Sequence, residues 1–127
     1  MQNAKYFPDG VAMEENIIAE KSLDFAERIV NLYKYLRYQK HESVMSKQLL
    51  RSGTSIGANV AEGARGQSKP DFYSKMSIAL KEANETKYWL CLLRRTSYLS
   101  EKEFESIEKD IKEILAILTA ICKAANK

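Results

Sequence analysis

Apolar residues recur three and four positions apart, without a break, through the end of the chain: Phe104, Ile107, Ile111, Ile114, Leu118, Ile121 and Ala125. Only an α-helix gathers such positions on one face, because a strand alternates its side chains with a period of two. A second seam of the same kind runs through Phe72, Met76, Ala79, Ala83, Thr86, Leu90 and Leu93. Two long amphipathic helices must bury their stripes against other helices, which commits the chain to an all-α fold. Five glycines and two prolines in 127 residues leave little material for the tight turns of a sheet-rich fold.

Two more helices precede these. The first is predicted from about Ile17 to Tyr38, where Phe25, Ile29, Leu32 and Leu36 form the stripe and Val30 and Tyr33 widen it. The second is predicted from about Val44 to Glu62, with Leu49, Leu50, Ile56 and Val60 apolar and Gly53, Gly57 and Ala61 four apart. A helical glycine costs about 1 kcal/mol relative to alanine, so this spacing implies a closely approaching neighbour. Gly63 and Gly66 are expected to end that helix with a positive φ. Ser68, followed by Pro70 and Asp71, is an N-terminal cap for a third helix ending near Thr96. Ser100 with Glu103 reads as a capping box for the fourth. Four helices with short connections predict one domain over residues 16–126, an antiparallel up-down-up-down four-helix bundle. Residues 1–15, with Pro8 and Gly10, are expected to form a flexible N-terminal arm from which Tyr6 and Phe7 can dock on a neighbour.

The composition, 45% hydrophobic and 29% charged, is that of a globular domain. No apolar run approaches the roughly 20 residues that span a bilayer, so no membrane partner is expected. The early charges Lys5, Asp9, Glu14 and Glu15 are unlike a signal peptide, which predicts a cytoplasmic protein. Cys91 and Cys122 are then expected to be small buried hydrophobes and not a disulfide.

Two segments are more apolar than one bundle requires. Residues 88–93 and 114–122 are apolar almost all the way round a helix. Surface of that kind marks an interface, which predicts a homo-oligomer with contacts at Tyr88, Trp89, Leu92 and Ile117. The alternative is that loops or the N-terminal arm cover it.

No constellation of catalytic residues stands out, and the chain is read as a non-enzyme without cofactor or metal. Gly53-Thr54-Ser55-Ile56-Gly57 lacks the spacing and lysine of a phosphate-binding loop. The single histidine, His41, falls in a predicted turn beside Glu42, and the inward Glu-x-x-His pairs of di-iron bundles are missing. Ser55, Asn59 and Glu62 share one face of the second helix, and Lys75, Glu82 and Glu85 one face of the third. If these faces meet, they form a polar network that fixes register; the functional alternative is a ligand groove.

The formal charge of +3 is unevenly spread. Residues 1–27 carry six acids and two bases, residues 28–51 six bases and one acid, and residues 65–95 seven bases and three acids. Candidate phosphate-binding residues are Lys34, Arg37, Lys40, Lys47 and Arg51 around the first turn, Arg65 and Lys69 in the second, and Arg94 and Arg95 ending the third helix. The end of the third helix is expected opposite the first turn, and Arg65 and Lys69 at the pole away from Arg94, so a single compact patch is not required. Few aromatics sit among these bases, which predicts salt-dependent, weakly selective binding. Simple solvation of an exposed face is the other reading.

The stretch Gln48-Leu49-Leu50-Arg51-Ser52-Gly53-Thr54-Ser55-Ile56-Gly57-Ala58-Asn59-Val60-Ala61-Glu62-Gly63 resembles the signature of the bacterial four-helix-bundle family named after 23S ribosomal RNA intervening sequences. The resemblance continues through Asp71-Phe72-Tyr73, Ile78-Ala79-Leu80-Lys81-Glu82-Ala83 and Glu85-Thr86-Lys87-Tyr88-Trp89-Leu90, and covers about residues 17–122. It implies a four-helix bundle assembled into a ring, typically a homopentamer. Relatives include the accessory variability protein of diversity-generating retroelements, a basic pentameric barrel that binds a reverse transcriptase and nucleic acid. Two functions are therefore expected to compete: a module binding RNA or DNA through basic surfaces, and a scaffold holding a partner protein without nucleic acid.

Overall fold

The computed structural model describes residues 12–126, with side chains from Ile17 onward, and shows four helices and no strand among them. They are α1 (Ala12–Lys34, continued by a π-helical turn Tyr35–Gln39), α2 (Met45–Ala64), α3 (Lys69–Arg95) and α4 (Glu101–Ala124). Helix α1 begins ahead of the expected Ile17, so residues 12–15, assigned to the arm, are helical. The rest of the arm, including Tyr6 and Phe7, lies outside the described residues.

Both seams are buried as their period requires. Phe72, Met76, Ala79, Ala83, Thr86, Leu90 and Leu93 of α3 face Phe104, Ile107, Ile111, Ile114, Leu118 and Ile121 of α4 in one core, joined by Phe25, Ile29 and Leu36 of α1 and Leu49, Ile56 and Val60 of α2. Ala125, the last member of the predicted repeat, is exposed because α4 stops at Ala124. The expected caps hold: Ser68 Oγ accepts from the Asp71 N–H, and Ser100 and Glu103 bond reciprocally.

Each helix packs on its sequence neighbours, and α4 also touches α1. The glycines of α2 set the spacing to α1. A Cβ on Gly53 would lie 2.8 Å from Ile29 Cγ1, and one on Gly57 would lie 3.2 Å from the Ser22 carbonyl oxygen. Gly63 and Gly66 do not take the positive φ expected of them. Gly63 is still helical and buried beside Met76, and the left-handed residues are His41 (φ 57°) and Ser97 (φ 68°), in the first and third turns. Cys91 and Cys122 are free thiols and half-buried, against the expectation of full burial, because both stand beside the seams and not on them. No helix among the described residues is long and apolar enough to cross a membrane.

Candidate nucleic-acid interface

The local geometry of the first turn decides which bases are free. Beyond Lys34 the helix widens: the Tyr35 carbonyl accepts from the Lys40 N–H at 3.1 Å, and the Leu36 carbonyl from the Glu42 N–H at 2.9 Å. Such widened turns are frequent at functional sites. Here it displays bases and rings together. The Arg37 guanidinium lies 5.6 Å from the centre of the Tyr38 ring, and the Lys40 ammonium 5.8 Å from that of Tyr35. Tyr38 is 67% exposed. The few aromatics expected among these bases are Tyr35 and Tyr38, and the widened turn sets each ring beside a base.

His41 is exposed and carries the chain round with its positive φ. Glu42 is only 7% exposed. Its carboxylate accepts from the N–H groups of Val44, Met45 and Ser46 at 3.1, 3.0 and 2.7 Å. Burial pushes the Glu42 carboxyl up, but the bonds from the Met45, Ser46 and Val44 amides, with the Ser46 side chain, outweigh it and hold its pKa below the usual carboxylate value. The acid of this turn is therefore engaged by the first amides of α2.

The end of α3 lies on this same side, which corrects the expected opposite placement. Tyr35 shares a hollow of about 520 Å³ with Leu99, Ser100 and Lys102, so the α3–α4 turn sits beside the end of α1. Lys34, Arg37, Lys40, Lys47 and Arg95 form no ion pair among the described residues. Arg94 is held: its Nη1 is 3.5 Å from Glu101, and its guanidinium lies 4.2 Å from the Phe104 ring centre. Arg51 is also held, by Glu82 at 3.3 Å and by Glu85. Arg65, in the α2–α3 connection, and Lys69, the first residue of α3, are exposed and lie away from this end.

The polar faces of α2 and α3 meet only in part. Glu62 pairs with Lys75 at 2.9 Å, and Glu85 accepts from Trp89 Nε1 at 3.0 Å while holding Arg51. Ser55 and Asn59 do not reach α3; each donates to a carbonyl of its own helix, Arg51 and Ser55 respectively. The buried cross-helix bond is between the Ser52 and Thr86 hydroxyls, 2.9 Å apart. Thr86 stood in the apolar seam, and that position was the available signal for its burial. Of the predicted contact residues, Tyr88 is 58% exposed, while Trp89 and Ile117 are half-buried against the core and Leu92 is half-buried. No cluster of three metal-ligating side chains occurs among the described residues.

Four helices on one core, with a basic and aromatic end, define the chain as a small all-α protein of the helical-bundle kind. It matches the family model of the 23S rRNA-intervening sequence protein over residues 14–120, and the chain belongs to that family. A solved structure of a protein with unknown function from the S23 ribosomal protein family of Bacteroides thetaiotaomicron is 56% identical, with a TM-score of 0.85 over 87% of this chain and 98% of the other. No curated protein matches.

Proposed function

We propose that this chain is a non-enzymatic, homo-oligomeric helical module, an antiparallel up-down-up-down bundle whose copies close into a ring, and that it binds RNA or DNA in the cytoplasm through its basic end. Contacts of Ser22 with Gly57 and Ile29 with Gly53, and of Arg51 with Glu85 and Glu62 with Lys75, support the antiparallel order. The observation that carries the binding reading is the set of unpaired bases Lys34, Arg37, Lys40 and Lys47 about the first turn, with the Arg37 guanidinium over the exposed Tyr38 ring and the Lys40 ammonium over that of Tyr35. Phosphates attract such bases without regard to sequence, and an exposed ring adds a stacking platform for an unpaired base. Arg51 and Arg94 contribute to the fold, and the free bases meet the backbone.

Fluorescence anisotropy with labelled structured RNA, single-stranded DNA and duplex DNA tests this. Binding is expected at about 50 mM salt, where backbone contacts are strongest. Arg37→Glu/Lys40→Glu/Lys47→Glu weakens it without changing the oligomer mass. No binding of any probe at that salt, with the oligomer intact, overturns the nucleic-acid reading in favour of a scaffold for a partner protein.

A further inference from the structure

The outward faces of α1 and α3 carry opposite charge between apolar side chains, and we infer that the outer stripe of α1 in one copy docks on the outer stripe of α3 in the next. This rests on the homo-oligomer reading above and supplies its contact surface. On α3, the side opposite the buried seam presents Lys81, Tyr88, Leu92 and Arg95. On α1, the side away from Phe25 and Ile29 presents Glu20, Leu23, Glu27 and Val30.

Three observations bear on the match. Leu23 is 64% exposed, and beside it lies a hollow of about 390 Å³ lined by Leu23, Ala26 and Val30 with Glu27 and Asn31. Tyr88, the most exposed large side chain of the apolar run on α3, is a projecting ring of the kind that fills such a hollow. Both rows step by seven residues, Glu20, Glu27 and Lys34 on α1 and Lys81, Tyr88 and Arg95 on α3, about 10.5 Å per step, so with Tyr88 seated beside Glu27 in the hollow, Glu20 meets a base of α3.

The charges are also uncommitted within the fold. Neighbouring Lys21 and Arg28 reach across to Glu113 and Asp110 of α4, whereas Glu20, Glu27, Lys81 and Arg95 form no ion pair among the described residues. Glu85, the acid nearest the α3 stripe, is neutralised by Arg51. The Glu20–Glu27 part of the α1 stripe and the basic α3 stripe therefore attract each other. Helices α1 and α3 are separated by α2 and α4, so the two stripes face different ways. A contact between unlike faces is heterologous, and repeating it builds a closed ring when the rotation per subunit closes.

Sedimentation equilibrium of two single-face variants tests the inference: Leu23→Lys/Glu27→Lys on α1, and Tyr88→Glu on α3. These positions are exposed, and circular dichroism with a melting curve verifies the fold of each; Glu20→Lys/Glu27→Lys replaces the first variant should it lose helicity. Each variant alone is expected to fall to the 14.5 kDa subunit. Mixed one to one, they regain association, because each retains the intact face that the other lacks. A single-face variant that keeps the wild-type mass, or a mixture that stays at subunit mass, overturns the α1–α3 contact and leaves the homo-oligomer reading standing. A wild-type chain that sediments at 14.5 kDa overturns both.

Discussion

Gly53→Ala sets two effects of known sign against each other. Alanine in the interior of α2 is favoured over glycine by about 1 kcal/mol. The added Cβ, however, would lie 2.8 and 2.9 Å from Ile29 Cγ1 and Cγ2 and 3.3 Å from its Cβ. Comfortable carbon contacts begin near 3.5 Å, so the overlap is roughly 0.7 Å at two atoms. Ile29 is fully buried and β-branched, with one strongly preferred helical rotamer, so it cannot turn away. Helices α1 and α2 must part instead, and overpacking of this kind costs about 1–3 kcal/mol. The net expectation is a loss of about 1 kcal/mol. Urea unfolding at one fixed protein concentration measures it, because the proposed association would make stability concentration-dependent. The midpoint should fall by about 0.5–1 M with an unchanged slope. In an Ile29→Ala background the clashing γ atoms are gone, and Gly53→Ala should then stabilise by about 1 kcal/mol. A higher midpoint for Gly53→Ala alone, or the same effect in both backgrounds, refutes the close-approach argument.

Thr86→Val leaves the buried Ser52 hydroxyl with only a 3.5 Å contact to the Leu49 carbonyl and should cost about 1–2 kcal/mol by urea unfolding, while Ser52→Ala/Thr86→Val removes both hydroxyls and should cost less. The Glu42 pKa is lowered in the folded chain, so its contribution to stability is present above the ordinary value of 4.5 and is lost as pH falls through the folded value; calorimetry below pH 4.5 should show a steeper fall in Tm for the wild type than for Glu42→Gln. Arg51→Gln breaks half-exposed ion pairs to Glu82 and Glu85 and should lower stability by no more than about 1 kcal/mol, with nucleic-acid affinity unchanged in anisotropy titrations.

The helices were legible because their determinants are local. A seven-residue repeat, Ser68 before Pro70, and Ser100 three residues before Glu103 each act within a turn or two. The glycine spacing in α2 also announced a close neighbour, though not that Ile29 and Ser22 would be the groups approached. What escaped the sequence depends on tertiary partners. Arg51 reads as one more surface base until Glu82 and Glu85 arrive from α3. Glu42 reads as a loop acid beside His41 until the amides of α2 converge on it. Tyr35 and Tyr38 stand among Lys34, Arg37 and Lys40 in the sequence, but the π turn leaves no period of its own in five residues, so which ring would meet which base was not legible. Placing the end of α3 required following the chain through two reversals, and Tyr35 beside Leu99 and Ser100 shows the outcome. The apolar excess at 114–122 overstated exposure, because Ile114, Leu118 and Ile121 are buried, Leu115, Ile117 and Cys122 half-covered, and the exposed positions hold only Ala116 and Ala120.

The salt dependence of binding tests the central claim most directly. Anisotropy titration of a single-stranded oligonucleotide from about 50 to 200 mM salt gives log Kobs against log salt, whose slope is about −0.7 per neutralised phosphate on a single strand. With Lys34, Arg37, Lys40 and Lys47 on the backbone, the account predicts a slope of about −2.8 per subunit, reduced to about −0.7 by Arg37→Glu/Lys40→Glu/Lys47→Glu. A slope near zero, or one that the triple reversal leaves unchanged, contradicts it.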